Sequence, residues 1–511
     1  MTLQPKDAEL FIGIVARIGV DTKAVTAAIS YALGKYDYDT VEIKITDAIK
    51  ELPRYRSLPA TVTTEKYKSY IRACNEIRKA TSHEDIMARF AVSQIWAARG
   101  ETRLDTDILV RRVFVINQLK RPEESELLRE IYGEHYVQIS FHAHHDQREH
   151  NLAQRIADDH PEKPRGEHWR TAALELIDRD EAEEDDRSGQ RVRDVFPLSD
   201  VVIDATDTQS TANHLGRFFR ALFGDSRVTP TIQEYGMQLA NTASLRSSDL
   251  SRQVGAAILN KHAEIQALGC NEVPKAGGGT YWESDNPDSR EFRLGRDSND
   301  ERKRETLLDL SARMITAGII PEEYKDNNLL KKKLFEREDD IISNSQLMDS
   351  LEYGRTVHAE MNAITDAARG GHAIRDCILY CNTFPCHNCA KHIVASGVRK
   401  VVYLRPFPKS YARQLFSDSI AVDPAVESKN QVAFTQFVGI VGPIYERLFS
   451  KGRWKLPDGS VGPFVKKGAA FIRRTPVASY LKTESLVLAG LKELLDANSL
   501  MQPDTAENPA D

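Results

Sequence analysis

Two consecutive α/β domains are predicted from the chain length, from apolar runs that alternate with amphipathic stretches, and from a change of pattern near residue 225. The 511 residues suffice for two to four domains of roughly 150 residues each. In the first part, short β-branched runs alternate with helical stretches, which is typical of a parallel, doubly wound sheet. We therefore expect a parallel-sheet domain over residues 1–225 and a second α/β domain over residues 230–465.

Composition excludes several classes of protein. The chain has 69 Lys and Arg against 75 Asp and Glu, a net charge of −6, and is 41% hydrophobic and 28% charged, as ordinary globular proteins are. This mild acidity argues against coating nucleic acid through global charge. The sequence contains neither the ~18 apolar residues of a membrane span nor a signal peptide, and its six Cys do not form a disulfide scaffold. We expect a cytoplasmic protein in a reducing compartment, with no membrane partner.

The elements of the first domain follow from its apolar pattern. Strands are predicted at Leu10–Ala16, Val41–Thr46, Arg111–Asn117, His135–Phe141 and Asp200–Thr206, and helices at Thr22–Leu33 and Glu123–Tyr132. Residues 157–193 are densely charged and poor in apolar side chains. This composition predicts a lid-like surface insertion rather than core.

The elements of the second domain alternate in the same way around one long insertion. A helix at Thr231–Ser244 precedes strands in QVGAAILN and EIQALGC, and a polar insertion spans residues 283–349. The pattern then predicts a helix at His358–Arg369, a strand at Cys377–Cys381, a helix at Cys386–Ser396 and a strand at Lys400–Leu404. Residues 480–498 form a further amphipathic helix, and we expect residues 499–511 to be a disordered tail.

The second domain contains residues suited to a catalytic metal centre. His358 is followed by Glu360, and Cys386 and Cys389 form a CxxC pair that begins 28 residues after the histidine. One imidazole and two thiolates provide three ligands for Zn²⁺ and leave the fourth position open for water, as a catalytic site requires. Glu360 lies near the metal but outside its ligand set, where a carboxylate can transfer protons. The set predicts hydrolytic deamination, for which H-x-E…P-C-x-x-C is the signature of zinc nucleobase deaminases.

A structural zinc knot made of four cysteines is the alternative. It would use Cys377 and Cys381 together with the CxxC pair. The first two lie in an apolar strand pattern, whereas closed four-cysteine sites usually use two pairs carried by loops. The knot would also leave the His-Ala-Glu turn unexplained, so we favour the catalytic site.

From Leu245 to Leu404 the sequence resembles the cytidine and deoxycytidylate deaminase superfamily, on the residues above and on LRSSDLSRQVGAAILN and GCNEVP. The resemblance implies an α/β/α sandwich, with Asn271 binding the sugar. It also places Ser247, Ser251 and Arg252 near the nucleotide. Lys275 lies in a basic, glycine-rich loop that could close on phosphates, and Tyr403 ends the last strand beside the site, where it could stack on the pyrimidine. The alternatives are an ordinary helix-to-strand loop for the serines, a plain surface loop for Lys275, and core packing for Tyr403.

The first domain opens with a strand, a glycine loop and a helix, LFIGIVARIGVDTKAV, which resembles the P-loop kinases of small nucleotides. The resemblance implies a P-loop NTPase-like fold and a candidate nucleotide loop with Gly13, Gly19 and Lys23. Val20 and Asp21 stand where that signature has Lys and Ser/Thr. Without the lysine the phosphates lose their main counter-charge, so we expect no phosphoryl transfer. Backbone amides could still hold an anion, and a scaffold or regulatory domain is the favoured interpretation.

A histidine-rich segment follows the fourth predicted strand of the first domain. It contains His142, His144, His145, Asp146 and His150. The segment lacks a helical i, i+4 pairing with a third ligand, so a solvated loop is favoured over a second metal site.

Most of the chain resembles the bacterial anti-phage dCTP deaminases, on GVD after the glycine loop, NQLKRP, GCNEVP–GGGTYW and the stretch from Phe437 to Tyr445. The resemblance implies deamination of dCTP, and also of dCMP, during phage infection. It implies control of the resting enzyme, in some members by an inhibitory RNA, a trigger derived from the phage, and a homo-oligomer such as a hexamer. A housekeeping dCMP deaminase with a regulatory domain, or a catalytically silent nucleotide- or RNA-sensing module, remain the alternatives.

Overall fold

The computed structural model describes residues 8–501 except 60–61, 101–110, 163–165, 183–188, 336–344, 408–409, 425, 452–454, 457, 459, 468 and 470–479. The chain divides into two units. Unit 1 contains residues 1–234 and 436–511, and unit 2 contains residues 235–435. The predicted tail at 499–511 lies almost wholly outside the described residues.

The strands are β1 Leu10–Ala16, β2 Asp39–Lys44, β3 Arg112–Asn117, β4 Tyr136–His142, β5 Val201–Asp204, β6 Gly255–Leu259, β7 Ile265–Cys270, β8 Ile378–Thr383, β9 Lys400–Arg405, β10 Ile420–Val422, β11 Val432–Gln436 and β12 Gly439–Ile440. The helices are α1 Thr22–Gly34, α2 Ile45–Glu51, α3 Thr63–Thr81, α4 Ile86–Arg99, α5 Pro122–Tyr132, α6 His145–Asp158, α7 Glu167–Ala182, α8 Val192–Val195, α9 Thr208–Leu222, α10 Ile232–Ser244, α11 Glu291–Leu294, α12 Ser298–Thr316, α13 Asn327–Phe335, α14 Ala359–Gly370, α15 His387–Ala395, α16 Ala412–Leu415, α17 Pro443–Phe449 and α18 Tyr480–Ala497.

Unit 1 is built on a six-stranded sheet in the order β12-β5-β4-β1-β3-β2. Strands β1 to β5 pair in parallel, and β12 pairs antiparallel to β5 at the edge. The central strands β1 and β4 are buried along their whole length, as expected for a parallel sheet covered on both faces. The prediction of a doubly wound parallel sheet in the first part of the chain is confirmed.

The charged segment 157–193 contributes to the core, contrary to the expectation of a surface lid. Helix α7 packs against α6, and Trp169, Ala173, Leu176 and Ile177 are buried there together with Leu152 and Ile156 of α6. The many charged residues between these positions obscured the apolar face of α7 in the sequence, because the net polarity of a helix does not show which of its faces is buried.

The second domain ends earlier than residue 465. Residues 436–440 leave unit 2 and add β12 to the sheet of unit 1. The buried carboxylate of Glu234 accepts a hydrogen bond from the Ile440 amide (2.8 Å) and is paired with Arg217. Ile444 and Leu448 of α17 are then buried in the main core of unit 1. Unit 2 is therefore inserted between two segments of unit 1.

The C-terminal helix α18 also belongs to unit 1. Its bounds agree with the predicted helix to within one residue. The fully buried side chain of Glu484 accepts hydrogen bonds from Arg99 of α4, and Arg99 also pairs with Glu9. This buried ion network ties the end of the chain to the start of β1.

Unit 2 is built on a mixed six-stranded sheet in the order β10-β11-β9-β8-β6-β7. β6 pairs antiparallel with both β7 and β8, and β8 pairs in parallel with β9. Helix α14 packs on β6 and β7, and α15 packs beside α14. β8 leads directly into α15, and the residues at the N-termini of α14 and α15 lie next to one another. Among the described residues, no helix combines the length and apolar character that a membrane crossing requires.

Candidate active site

The first turns of α14 and α15 place three side chains that could hold a metal ion next to one another. His358 is the N-cap of α14 and Cys386 is the N-cap of α15, both with extended backbone. Cys389 lies in the first turn of α15, one turn beyond Cys386. The ligand atoms of the three residues lie within 4.8 Å of one another.

The spacing of these atoms fits a common metal ion. His358 Nδ1 lies 3.2 Å from Cys386 Sγ and 3.4 Å from Cys389 Sγ. Zn–N and Zn–S bonds of about 2.0 and 2.3 Å in a tetrahedron would separate the nitrogen and sulfur atoms by roughly 3.5 Å. The three side chains are thus close to the arrangement that a tetrahedral ion requires, with one coordination position left open.

Cys386 has the charge that a metal ligand requires. Hydrogen bonds from Cys389 and His358 lower the pKa of the Cys386 thiol, despite its burial. The thiolate is the form of cysteine that binds metals. Conversely, hydrogen bonding to Cys386 raises the pKa of His358.

Glu360 lies beside this cluster, in the first turn of α14, and is 4% exposed. Burial, followed by the negative charge of Cys386, raises the pKa of its carboxyl to about 7. A carboxyl with a pKa near the working pH can both accept and release a proton.

A cavity of about 290 Å³ opens onto the cluster. It is lined by Asp249, Leu250, Ser251, Arg252, Val254, Asn271, Glu291, Asp297, Asn299, Leu351, Gly354, Arg355, Thr356, His358, Ala359, Glu360, Thr383, Phe384, Cys386 and Phe407. The cavity thus brings together two of the three metal-binding residues, the buried carboxyl and several of the residues predicted to bind the nucleotide.

Three of the predicted nucleotide-binding residues line this cavity: Asn271, Ser251 and Arg252. The side-chain amide of Asn271 donates through Nδ2 to the Arg252 carbonyl oxygen (2.8 Å) and accepts through Oδ1 from the Val254 backbone amide (2.7 Å). Asn271 therefore holds the segment that carries Arg252 and also forms part of the cavity wall.

The other three predicted residues do not line the described cavity. Ser247 is buried and accepts from the Asp249 amide (3.2 Å). Lys275 is ion-paired with Asp285 (2.7 Å). The hydroxyl of Tyr403 donates to Asp423 (2.6 Å) and its ring packs edge-on against Phe384, as the core-packing alternative held. Each of these side chains has local partners, which sequence spacing does not reveal.

Part of the cavity wall comes from residues that the sequence did not single out. Glu291, Asp297 and Asn299 come from the polar insertion, and Arg355 and Thr356 precede His358. The insertion is held near the site by hydrogen bonds such as Asn299 to the Ser350 carbonyl oxygen (2.9 Å). Proximity to His358 in sequence was the one available signal for Arg355.

The four-cysteine alternative does not match the geometry. Among the described residues, the cysteines that belong to a cluster able to hold a metal ion are Cys386 and Cys389, which lie together with His358. Cys381 is buried within β8, and Cys377 immediately precedes that strand.

The predicted glycine loop of unit 1 differs from an open phosphate cradle. Gly13 lies in the middle of β1, where a Cβ would collide with the Tyr136 hydroxyl, so it is a packing residue and not a loop residue. Gly19 is in the loop, with φ of +96°. The Ile18 backbone amide donates to the buried carboxylate of Asp180 (3.1 Å). This amide of the loop is therefore not available to donate to a phosphate.

Other groups close the same loop. Lys120, Arg148 and Asn151 donate to the carbonyl oxygens of Ala16, Ile18 and Gly19, respectively. The carboxylate of Asp21 accepts from the amides of Lys23 and Ala24 and so caps α1. The N-terminus of α1 thus already carries an anion from its own chain.

The histidine-rich segment begins a helix rather than a loop. His145, Asp146 and Glu149 lie in the first turns of α6, with ligand atoms within 4.8 Å of one another. Glu149 is ion-paired with Arg170, and the Asp146 side chain is 96% exposed. The ion pair of Glu149 and the exposure of Asp146 favour a solvated helix terminus over a second metal site.

The segment that contains this site is similar to a known protein family. Residues 230–405 match the family described as the cytidine and deoxycytidylate deaminase zinc-binding region. This part of the chain is thus similar to the zinc-binding region of that family, and the metal is Zn²⁺, as the sequence predicted.

Individual relatives match over limited lengths. The chain is 44% identical to the deoxycytidylate deaminase of Enterobacteria phage T2 over 54 residues, which are 11% of this chain and 29% of that protein. It is 30% identical to ComE operon protein 2 of Bacillus subtilis over 98 residues, 18% of this chain and 52% of that protein. The chain thus spans less than a third of the phage relative's length. Among solved structures, apo dCMP deaminase from the cyanophage S-TIM5 aligns at 18% identity and TM-score 0.21, over 40% of this chain and 98% of that one.

Proposed function

We propose that this protein is a zinc-dependent hydrolytic deaminase that converts deoxycytidine nucleotides to deoxyuridine nucleotides and ammonia. The observation that carries the proposal is the buried Glu360 in the cavity that His358 and Cys386 also line, with Cys389 completing the cluster. A silent sensing module would have no need for a buried carboxyl beside three intact metal ligands.

The reaction replaces the exocyclic amine of cytosine with oxygen from water. His358, Cys386 and Cys389 would hold Zn²⁺, which when bound activates a water molecule as the nucleophile. Glu360 accepts one proton from the attacking water and passes it to the ring nitrogen, then moves the second proton, from the new hydroxyl on the ring carbon, to the amine, which leaves as ammonia as the C–N bond breaks and the C=O bond forms. The burial of Glu360 excludes bulk water, so the proton stays between the carboxyl and the substrate.

We further propose dCTP as the principal substrate, with dCMP also accepted, and depletion of dCTP in anti-phage defence as the biological role. The support is the resemblance of most of the chain to bacterial anti-phage dCTP deaminases. The relatives named deoxycytidylate deaminases favour the nucleotide class and keep the housekeeping alternative open.

Unit 1 is proposed as a degenerate P-loop NTPase-like domain with a regulatory role. A loop already filled by Asp180 and Asp21 favours regulation over phosphoryl transfer. This proposal includes control by an inhibitory RNA, activation by a phage-derived trigger, and a homo-oligomer such as a hexamer. Deletion of unit 1 residues, followed by measurement of deaminase activity and subunit number, would test it.

The direct test is an assay of the purified, zinc-loaded chain with deoxycytidine, dCMP, dCTP and their ribose counterparts. We expect release of ammonia and a deoxyuridine product, fastest with dCTP. Turnover of dCMP without dCTP would favour the housekeeping enzyme. No turnover of any cytosine compound would leave the sensing module as the remaining candidate.

A further inference from the structure

Two arginines at the cavity retain unused hydrogen-bond donors. Arg252 and Arg355 both line the cavity and are exposed. Within the described part of the chain, the Arg252 guanidinium has no hydrogen-bond or ion-pair partner. Arg355 uses only Nη1, which donates to the Ser289 carbonyl oxygen (3.2 Å) and lies 3.5 Å from Glu291. A guanidinium has five N–H donors, so most of this capacity is left for a ligand.

The neighbouring carboxylates, by contrast, already accept hydrogen bonds from their own segments. Asp249 accepts from the amides of residues 251 and 252, and Asp297 accepts from the amide of residue 300. Glu291 is 7% exposed and accepts from the amide and hydroxyl of Ser298. These acidic groups are therefore engaged within the protein, whereas Arg252 and the nitrogens of Arg355 other than Nη1 are available to an anion.

One residue, Glu272, anchors both of the segments that carry the two arginines. Glu272 pairs with Val357 through two backbone hydrogen bonds (3.2 and 3.0 Å), which hold the segment from Arg355 to His358. The Glu272 carboxylate accepts from the amide and hydroxyl of Ser248 (3.0 and 2.7 Å), at the start of the loop that carries Arg252. The two cationic segments are thus anchored to one buried residue next to Asn271.

We propose that Arg252 and Arg355 together bind the phosphate groups of the nucleotide, and that Arg355 sets the preference for a nucleotide over a nucleoside. This inference rests on the proposed deaminase function and names the residues behind its substrate class. Arginine forks match phosphate oxygens in pairs, and charge-assisted bonds of this kind are the stronger ones. Glu291 holds one nitrogen of Arg355, so less side-chain entropy is lost when phosphate binds.

The test compares Arg355→Ala and Arg252→Ala with the unaltered chain. Removal of bonds to a charged group costs about 10- to 100-fold in kcat/KM per arginine. We expect that loss to be largest for dCTP, smaller for dCMP and absent for deoxycytidine. Arg355→Lys should fall between, because it keeps the charge but not the fork. Arg413→Ala is the matched control, because Arg413 of α16 is exposed and is not among the residues that line the cavity.

A binding measurement separates this inference from the proposed function. Calorimetry with dUTP and with deoxyuridine on the zinc-loaded full chain requires no turnover. Arg355→Ala should weaken dUTP about 10- to 100-fold and leave deoxyuridine unchanged. Equal losses of kcat/KM for dCTP, dCMP and deoxycytidine, or an unchanged affinity for dUTP, would overturn the phosphate assignment even in an active enzyme. An inactive chain that still binds dUTP through Arg355 would overturn the deaminase proposal instead.

Discussion

Replacing Glu360 by Gln tests the proton-transfer role of its carboxyl most directly. The side chain is 4% exposed and lies outside the His358, Cys386 and Cys389 cluster. An amide of the same shape fills the space and removes only the group that moves the proton. General acid–base catalysis contributes about 10²–10⁴-fold, which corresponds to about 3–5 kcal/mol of activation free energy.

The assay measures deoxyuridine nucleotide formation by chromatography together with zinc content by elemental analysis. We expect Glu360→Gln to keep about one zinc per chain and its thermal unfolding temperature, and to lose turnover by that factor. Glu427→Gln, which alters an exposed carboxyl paired with Lys400, serves as the control. Turnover within about threefold of the unaltered enzyme would mean that another group transfers the proton. Loss of zinc in Glu360→Gln would mean that the carboxyl belongs to the metal site.

Three further results are expected. Cys386→Ser and Cys389→Ser should each lose zinc, because a neutral hydroxyl replaces a thiolate, whereas Cys377→Ser should retain it; elemental analysis of the three variants decides this. The intact chain should transfer no phosphate from ATP to nucleoside monophosphates, because its glycine loop is closed by its own carboxylates; labelled phosphate in the acceptor would refute this. In unit 1, hydrogen bonds from two arginines overcome burial and lower the pKa of Asp225 to about 2, below the ordinary 3.8. Its stabilisation is therefore present above about pH 4 and lost as pH falls through about 2, so Asp225→Asn should cost about 1–2 kcal/mol at neutral pH and almost nothing at pH 2; urea unfolding at both values measures this, and an equal cost at both would contradict it.

The amino-acid sequence alone was sufficient for features that depend on local pattern. β1 was predicted with its observed bounds, and α14 and α15 began within one residue of the predicted positions. Strand and helix periodicities are properties of short segments. The grouping of His358, Cys386 and Cys389 into a cluster that could hold a metal ion also followed from local pattern, because helix N-termini and CxxC spacing place side chains through local geometry.

Only the tertiary structure decided which distant segments meet. Residues 436–440 complete the sheet of unit 1, and Asp180 closes the glycine loop from a helix more than 150 residues away in sequence. The Tyr403 hydroxyl donates a hydrogen bond to Asp423. Arg355 lines the cavity because its segment is held by the backbone pairing of Val357 with Glu272. Such contacts join residues far apart in the chain, and they form where packing and hydrogen bonding are satisfied together, which no local pattern of residues encodes.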